Sequence, residues 1–264
     1  MTVVEPGLSS LPVGASRPGM GLIQATDLFG DPVAHGRALE VAVHWLRTSQ
    51  APTRGRLLVT PDEVASWVQL PVDLIGTWVT GRRARAGLRA LNRQLTTDLL
   101  GKTVAVGSTH GEMAPGRWWF SSGEDEIVTV DGWTAHDRGP IAIDAIQLVI
   151  AARTLVGTSD PGMSNAVGDL LTAGWTDDER RALGASWSGA EDLRPSTLVL
   201  LAWLQSTAEL GGPSTDVRPI DDRRQEAVRL LEQLAPRGLL NSPSIDLGLA
   251  VDREDGIRSS EERA

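Results

Sequence analysis

The amino-acid sequence predicts a mostly α-helical protein with a small β portion, on three observations. Apolar residues recur at the three- and four-residue spacing of amphipathic helices through most of the chain. Strand-like segments lie mainly between residues 103 and 130. Two sequences of the form Thr-x-x-Glu, at Thr60–Glu63 and Thr176–Glu179, are typical of the capping boxes that open helices. Helices therefore dominate the predicted fold.

The first half is predicted to begin with helices. Asp31 and Pro32 suit the N-cap and the first position of a helix. Thr60 opens another helix, which Pro71 is expected to break, because a proline within a helix removes a hydrogen bond and clashes with the preceding turn. A further helix is expected from about Val72.

Short strands complete the first half. They are predicted from runs of β-branched, aromatic and aliphatic residues bounded by turn residues such as Gly, Pro and Asp. One strand is expected before Thr60 and three after the helices, at residues 56–59, 103–106, 117–120 and 126–130.

The second half is predicted to be all-helical, with five helices at Ile141–Val156, Ala166–Ala173, Thr176–Gly184, Pro195–Leu210 and Ile220–Leu234. Three polar residues interrupt the longest apolar run, which predicts a buried helix rather than a membrane span: Asp144, Gln147 and Arg153.

Composition narrows the class of protein. The 264 residues are enough for two modest domains. The chain has no cysteine, which excludes disulfides, thiolate zinc sites and cysteine nucleophiles. No hydrophobic signal segment is evident near the start, so a cytoplasmic location is expected, with no membrane partner.

Charge is distributed unevenly along the chain. The net charge of −9 argues against a protein that coats nucleic acid without specificity. The stretch from Arg47 to Lys102 nevertheless holds nine basic residues against four acidic ones, a local net charge of +5. Arginine is common throughout, with Lys102 as the one lysine, so arginine content alone does not indicate nucleic-acid binding.

One segment resembles a known family. It reads Thr60-Pro61-Asp62-Glu63-Val64-Ala65, followed in register by Leu70, Ile75 and the pair Trp78-Val79, and later by Gly116-Arg117-Trp118-Trp119-Phe120. This pattern is similar to the excisionase/MerR-like winged helix-turn-helix family. The resemblance implies two short helices joined by a tight turn and followed by a β wing, over about 60 residues at most.

If the resemblance holds, the function it implies is DNA binding, by a transcriptional regulator or an excisionase-like accessory factor. Its partner would be double-stranded DNA, with the second helix in the major groove and the wing on the backbone. The residues expected to contact DNA are Thr77, Thr80, Arg82, Arg83, Arg85, Arg89 and Arg117, since arginines suit phosphate and guanine contacts.

Two other interpretations of the same residues stay open. The arginines between Arg82 and Arg93 could be an ordinary solvated helix face. The winged helix could instead serve as a docking module of a non-catalytic adaptor, with a protein partner or a second copy of the chain.

No pattern typical of catalysis or metal binding emerges from the sequence. The four histidines do not pair at the spacings of metal ligands. His110-Gly111-Glu112 could bring an imidazole near a carboxylate, and the segment from Gly157 to Ser164 has P-loop spacing without the lysine. The sequence thus predicts no enzyme, no metal and no cofactor.

The predicted organisation has four parts. Residues 1–21 form a disordered leader and residues 22–138 a winged helix-turn-helix-like domain. Residues 139–238 form a helical domain for dimerisation or sensing, and residues 239–264 a flexible acidic tail. The predicted fold class is accordingly mostly α with a small β wing.

Overall fold

A computed structural model describes residues 22–111, 113–121, 123, 126–130, 136–156, 162–184, 192–209 and 220–237. The predicted leader, the predicted tail and most of the P-loop-like segment lie outside these residues. Within the described ranges, no helix is long and apolar enough to cross a membrane.

Ten helices and six strands can be placed in the described residues. The helices are α1 (Ala25–Gly30), α2 (His35–Gln50), α3 (Pro61–Val64), α4 (Leu70–Gly76), α5 (Arg82–Leu99), α6 (Ala142–Arg153), α7 (Gly162–Ala173), α8 (Asp177–Gly184), α9 (Pro195–Ala208) and α10 (Ile220–Arg237). The strands are β1 (Leu22–Gln24), β2 (Gly55–Leu58), β3 (Thr103–Thr109), β4 (Trp118–Ser121), β5 (Ile127–Val130) and β6 (His136–Pro140).

The strands form two antiparallel sheets of three strands each. One has the order β1-β4-β5, and its register places Ile23 opposite Phe120. The other has the order β2-β3-β6, with Leu57 opposite Val104 and Val106 opposite Pro140. Both sheets join segments that are far apart in sequence, so neither is a simple hairpin.

The predicted helix-turn-helix is absent, because the chain from Pro61 to Gly76 is one continuous helical run. The capping box is confirmed: Glu63 accepts the backbone N–H of Thr60, and the Thr60 hydroxyl accepts from Asp62 N. After α3 the chain passes through a π-helical turn, Ala65–Gln69, directly into α4. No turn separates two helices here.

The π-turn explains why Pro71 does not break the helix as predicted. In an α-helix the Pro71 ring would clash with the carbonyl of Trp67, and the nitrogen has no hydrogen to donate. In the structure Leu70 N–H donates instead to the Ala65 carbonyl, five residues back. This wider spacing is that of a π-turn, and helical geometry continues past the proline.

The strand that was predicted to form the wing, β4, does not pack beside the expected helix-turn-helix segment. The strand β4 pairs with β1 on one side and β5 on the other. It therefore belongs to a sheet that begins at Leu22, outside the expected helix-turn-helix segment. The predicted fold class is wrong: the protein is mixed α/β with two antiparallel sheets, and it contains no winged-helix domain in its described residues.

The helices of the second half are confirmed as elements, with small shifts at their ends. The central pair is α6 and α9, which are buried on nearly every side, as the apolar character of both segments predicts. The buried residues form one hydrophobic core, which includes residues on both sides of the domain boundary predicted at residue 138. The predicted domain boundaries are not tested by this packing and stay predictions.

Helices α5 and α10 cross in close contact at Gly87. A Cβ atom on Gly87 would lie 1.9 Å from the Leu231 carbonyl oxygen, so only glycine fits at this crossing. Arg83 donates from Nε to the Glu232 carbonyl at 3.1 Å, beside the crossing. The position of α5 on α10 is thereby fixed, which determines the face that α5 turns to solvent.

A candidate acid–base centre

A buried carboxylate, that of Asp144, lies in the first turn of α6 where three elements meet. The side chain is fully buried. The last residue of α2, Gln50, approaches from one side, and the segment after β3 approaches from the other. The apolar residues that surround Asp144 along α6 hold it in the protein interior.

Three neutral donors surround this carboxylate. Gln50 Nε2 and the backbone N–H of His110 donate to one oxygen, at 2.8 and 2.6 Å. The backbone N–H of Gly111 donates to the other oxygen at 3.2 Å. Gly111 has a φ of 86°, a conformation that favours glycine, and this turns its N–H towards the carboxylate.

Burial raises the pKa of Asp144 to about 6, since the ionised form loses its hydration. The hydrogen bonds from His110 N, Gly111 N and Gln50 oppose this shift by stabilising the charge. The carboxylate can therefore exchange a proton close to neutral pH, which an exposed aspartate does not do.

Aromatic side chains pack around His110, whose backbone binds this carboxylate. The ring of His110 is fully buried, with its centroid 6.5 Å from that of Trp118. Trp45 packs edge-on against Trp118 at 5.4 Å. The buried indole N–H of Trp118 donates to no acceptor in the described part of the chain. The His110 residue thus links the buried carboxylate, through its backbone, to the buried rings around Trp118.

A second buried carboxylate, Glu179, is held quite differently. Arg153 donates from Nε and from a terminal nitrogen to its two oxygens, each at 2.5 Å. The backbone N–H of Thr176 donates to it at 2.7 Å, as the predicted capping box requires. Glu179 therefore has a cationic partner, whereas the donors to Asp144 among the described residues are all neutral.

The residues predicted to contact DNA do not converge on one helix-turn-helix surface. Thr77 and Thr80 are exposed in the connection between α4 and α5, and Arg117 is half-buried just before β4. The four arginines at Arg82, Arg83, Arg85 and Arg89 are exposed on α5 itself. Whether any of these residues contacts a ligand stays a prediction.

Sequence reasoning missed the role of Asp144 and Gln50. The available signal was the set of polar residues that interrupt the apolar run of α6. In the structure Asp144 forms the centre described above, Gln147 lies buried with Nε2 3.4 Å from the Ala202 carbonyl, and Arg153 binds Glu179. A polar residue inside an apolar helix indicates a buried polar contact.

Within the described residues, no group of three or more His, Asp or Glu side chains lies close enough together to hold a metal ion. Comparison with protein-family models finds no match, and comparison with curated proteins finds none. Among solved structures the chain is similar to a glucosamine kinase, with 17% sequence identity and a TM-score of 0.46. The similarity covers 81% of this chain and 55% of that one, so the chain spans about half of the kinase.

The predicted function is corrected by these findings. A DNA-binding transcriptional regulator, or an adaptor docking through a winged helix, is wrong, because both predictions depend on a winged helix and the described residues contain none. The prediction that the chain is not an enzyme is also withdrawn, because it depended on the lack of a catalytic pattern in the sequence and missed the buried Asp144 carboxylate.

Proposed function

We propose that the protein is an enzyme in which the Asp144 carboxylate acts as a general base. The observation that carries this proposal is a fully buried carboxylate, held by one amide and two backbone N–H groups, whose pKa is raised to about 6 by burial. A base with a pKa just below the working pH is ionised and still accepts a proton readily, which is the condition for efficient general-base catalysis.

The hydrogen bonds of Asp144 favour this role over a purely structural one. A carboxylate that only anchors a loop would be held more strongly by a cation, as Glu179 is held by Arg153. At Asp144 the donors are one amide and two backbone N–H groups. They orient the carboxylate while leaving it able to take up a proton.

The neighbouring groups suit a polar substrate. The indole N–H of Trp118 would donate to a substrate oxygen. The proton that Asp144 removes would come from a hydroxyl, an amine or an activated C–H group of a small molecule.

Access would be through the segment after β3. Residues 110, 111, 113 and 114 belong to neither a helix nor a strand, and two of their backbone N–H groups bind Asp144 itself. Displacement of this segment would open the cluster without unfolding the sheets. Loops of this kind commonly admit substrate and close over it.

The experiment is a substrate search with matched variants. The purified protein is incubated with a pooled small-metabolite extract, and mass spectrometry follows which compounds are consumed. We expect turnover by the wild type, and a loss of roughly 10²- to 10⁴-fold in Asp144→Asn, the usual effect of removing a general base. The rate should fall below a pH of about 6 as the base is protonated.

The control is Asp73→Asn, which removes an exposed carboxylate from α4. It should leave turnover unchanged, and circular dichroism should show that both variants are folded. Equal activity of wild type and Asp144→Asn, or no compound consumed by the wild type, would overturn the proposal.

A further inference from the structure

Helix α5 presents a row of exposed arginines to solvent. At 100° per residue, Arg82, Arg85, Arg89 and Arg93 fall on one narrow side of the helix. We call these four residues the arginine row. At 1.5 Å rise per residue the row is about 16 Å long, with neighbouring charges about 5 to 6 Å apart along the axis. The opposite side of α5 is apolar and buried.

Most of these charges are not used within the protein. Arg85 donates from Nε to the Val79 carbonyl at 2.9 Å, which fixes the start of α5. Across the described residues, no carboxylate forms an ion pair with Arg82, Arg89 or Arg93. Other surface arginines do have carboxylate partners, such as Arg180 with Asp177 and Arg181 with Glu40. The arginine row is therefore available to an external anion.

The row ends at exposed apolar side chains. Leu100 follows the last turn of α5 on the same side as Arg93, and it is 48% exposed. Leu58, at the end of β2, is 57% exposed. Backbone hydrogen bonds join the residues next to them, from Gly101 N to the Val59 carbonyl at 2.9 Å and from Val59 N to the Lys102 carbonyl at 2.8 Å. The two leucines thus belong to one small surface.

We propose that the arginine row and these two leucines form a docking surface for an acidic segment of a partner protein. A helical segment with Glu or Asp at every third or fourth position repeats its carboxylates at the spacing of the arginines. Apolar residues at one end of that segment would cover Leu58 and Leu100. The charge of the row and the spacing of its arginines are both complementary to such a segment.

A protein segment fits this surface better than nucleic acid does. A duplex lying along 16 Å would present about nine phosphates, more than twice the number of arginines in the row. The chain as a whole has a net charge of −9, which opposes the binding of a long polyanion more than that of a short acidic segment. A short acidic segment would contact the row alone.

The test uses a fluorescein-labelled helical peptide with Glu at every third and fourth position and two leucines at one end. Fluorescence anisotropy measures its binding to the full chain at low salt. In Arg82→Gln/Arg89→Gln/Arg93→Gln we expect binding roughly five- to thirtyfold weaker, from the small energies of exposed ion pairs. Arg83 and Arg85 are retained, because both hold backbone carbonyls.

The matched control is Arg37→Gln/Arg47→Gln/Arg56→Gln, which removes the same charge from α2 and β2. It should bind the peptide like the wild type. Leu58→Ser/Leu100→Ser should weaken binding of the peptide with leucines but not of a version with alanines in their place. Equal losses in the two arginine variants, tighter row-dependent binding of duplex DNA, or no binding by the wild type would each overturn the proposal.

Discussion

The two buried carboxylates, Asp144 and Glu179, compare directly because neither has access to solvent. Both accept short hydrogen bonds, and both join segments distant in sequence. Glu179 is neutralised by the guanidinium of Arg153, and the pair links α6 to α8. In the described part of the chain, Asp144 accepts hydrogen bonds from neutral donors only. The two carboxylates are therefore equally buried, but one is paired with a cation and the other with neutral donors.

The difference shows how the same helix uses buried charge for two purposes. An ion pair that is buried is difficult to break, because either partner alone would be an uncompensated charge. A carboxylate stabilised by neutral dipoles keeps a smaller preference for its ionised form, so its protonation responds to pH. At one end of α6 the charge of Arg153 stays paired with Glu179, and at the other end Asp144 can exchange a proton close to neutral pH.

The largest expected effect comes from removing the cation of the permanent pair. Arg153→Met should lower the free energy of unfolding by about 3–5 kcal/mol at neutral pH, because it leaves Glu179 charged and buried. Urea unfolding measures this change. The double variant Arg153→Met/Glu179→Met should recover part of the loss. A single variant as stable as the wild type would contradict the comparison.

Removal of the amide donor of Asp144 should have a smaller effect. Gln50→Met keeps the volume but takes one hydrogen bond from a charged group, which costs about 1.5–3 kcal/mol at pH 7.5. The pKa of Asp144 should rise further, since a donor that favours the ionised form is lost. Unfolding measured at pH 5 should show a smaller cost, and a pH-independent cost would indicate packing alone.

The pH dependence of stability distinguishes Asp144 from an ordinary aspartate. Its pKa is about 6 in the folded protein against 3.8 for an ordinary aspartate, because burial disfavours the ionised form. The resulting destabilisation is full above pH 6 and disappears as the pH falls through 6 towards 4. Relative to Asp144→Asn, the wild type should gain about 1–2 kcal/mol between pH 7.5 and pH 5. Parallel stability curves for the two proteins would refute this.

The smallest effect is expected at the helix cap beside Glu179. Thr176→Ala removes the hydroxyl that accepts the Glu179 backbone N–H, and should cost about 1 kcal/mol at any pH near neutral. Thermal unfolding measures the loss. The control is Thr97→Ala, whose hydroxyl donates to the Arg93 carbonyl on an exposed helix face. A cost of 3 kcal/mol or more would mean that the cap, and not Arg153, positions Glu179.

Local signals allowed much of the fold to be predicted. The capping boxes at Thr60 and Thr176 and the apolar periodicity of the second half depend on residues within one or two helical turns. The failures were of another kind. The effect of Pro71 depended on a switch to π-helical bonding, and β4 found its partner β1 almost a hundred residues away. Neither is recorded in a local pattern.

The candidate site was less predictable than the fold. Asp144 was visible as an interruption of an apolar run, but its donors lie 34 and 94 residues away in the sequence. The raised pKa is a consequence of burial, which only the folded chain determines. His110 was noted for its proximity to Glu112, whereas the carboxylate next to its backbone is that of Asp144.

The π-turn at Ala65–Gln69 limits which deletions this helix can accept during evolution. A π-turn holds one residue more than the α-helical turn it replaces, and the residues on either side keep their helical conformation. The additional residue of the π-turn therefore removes the clash that Pro71 would cause in an α-helix. In homologous sequences, we expect the loss of one residue from Ala65–Gln69 to occur together with replacement of Pro71.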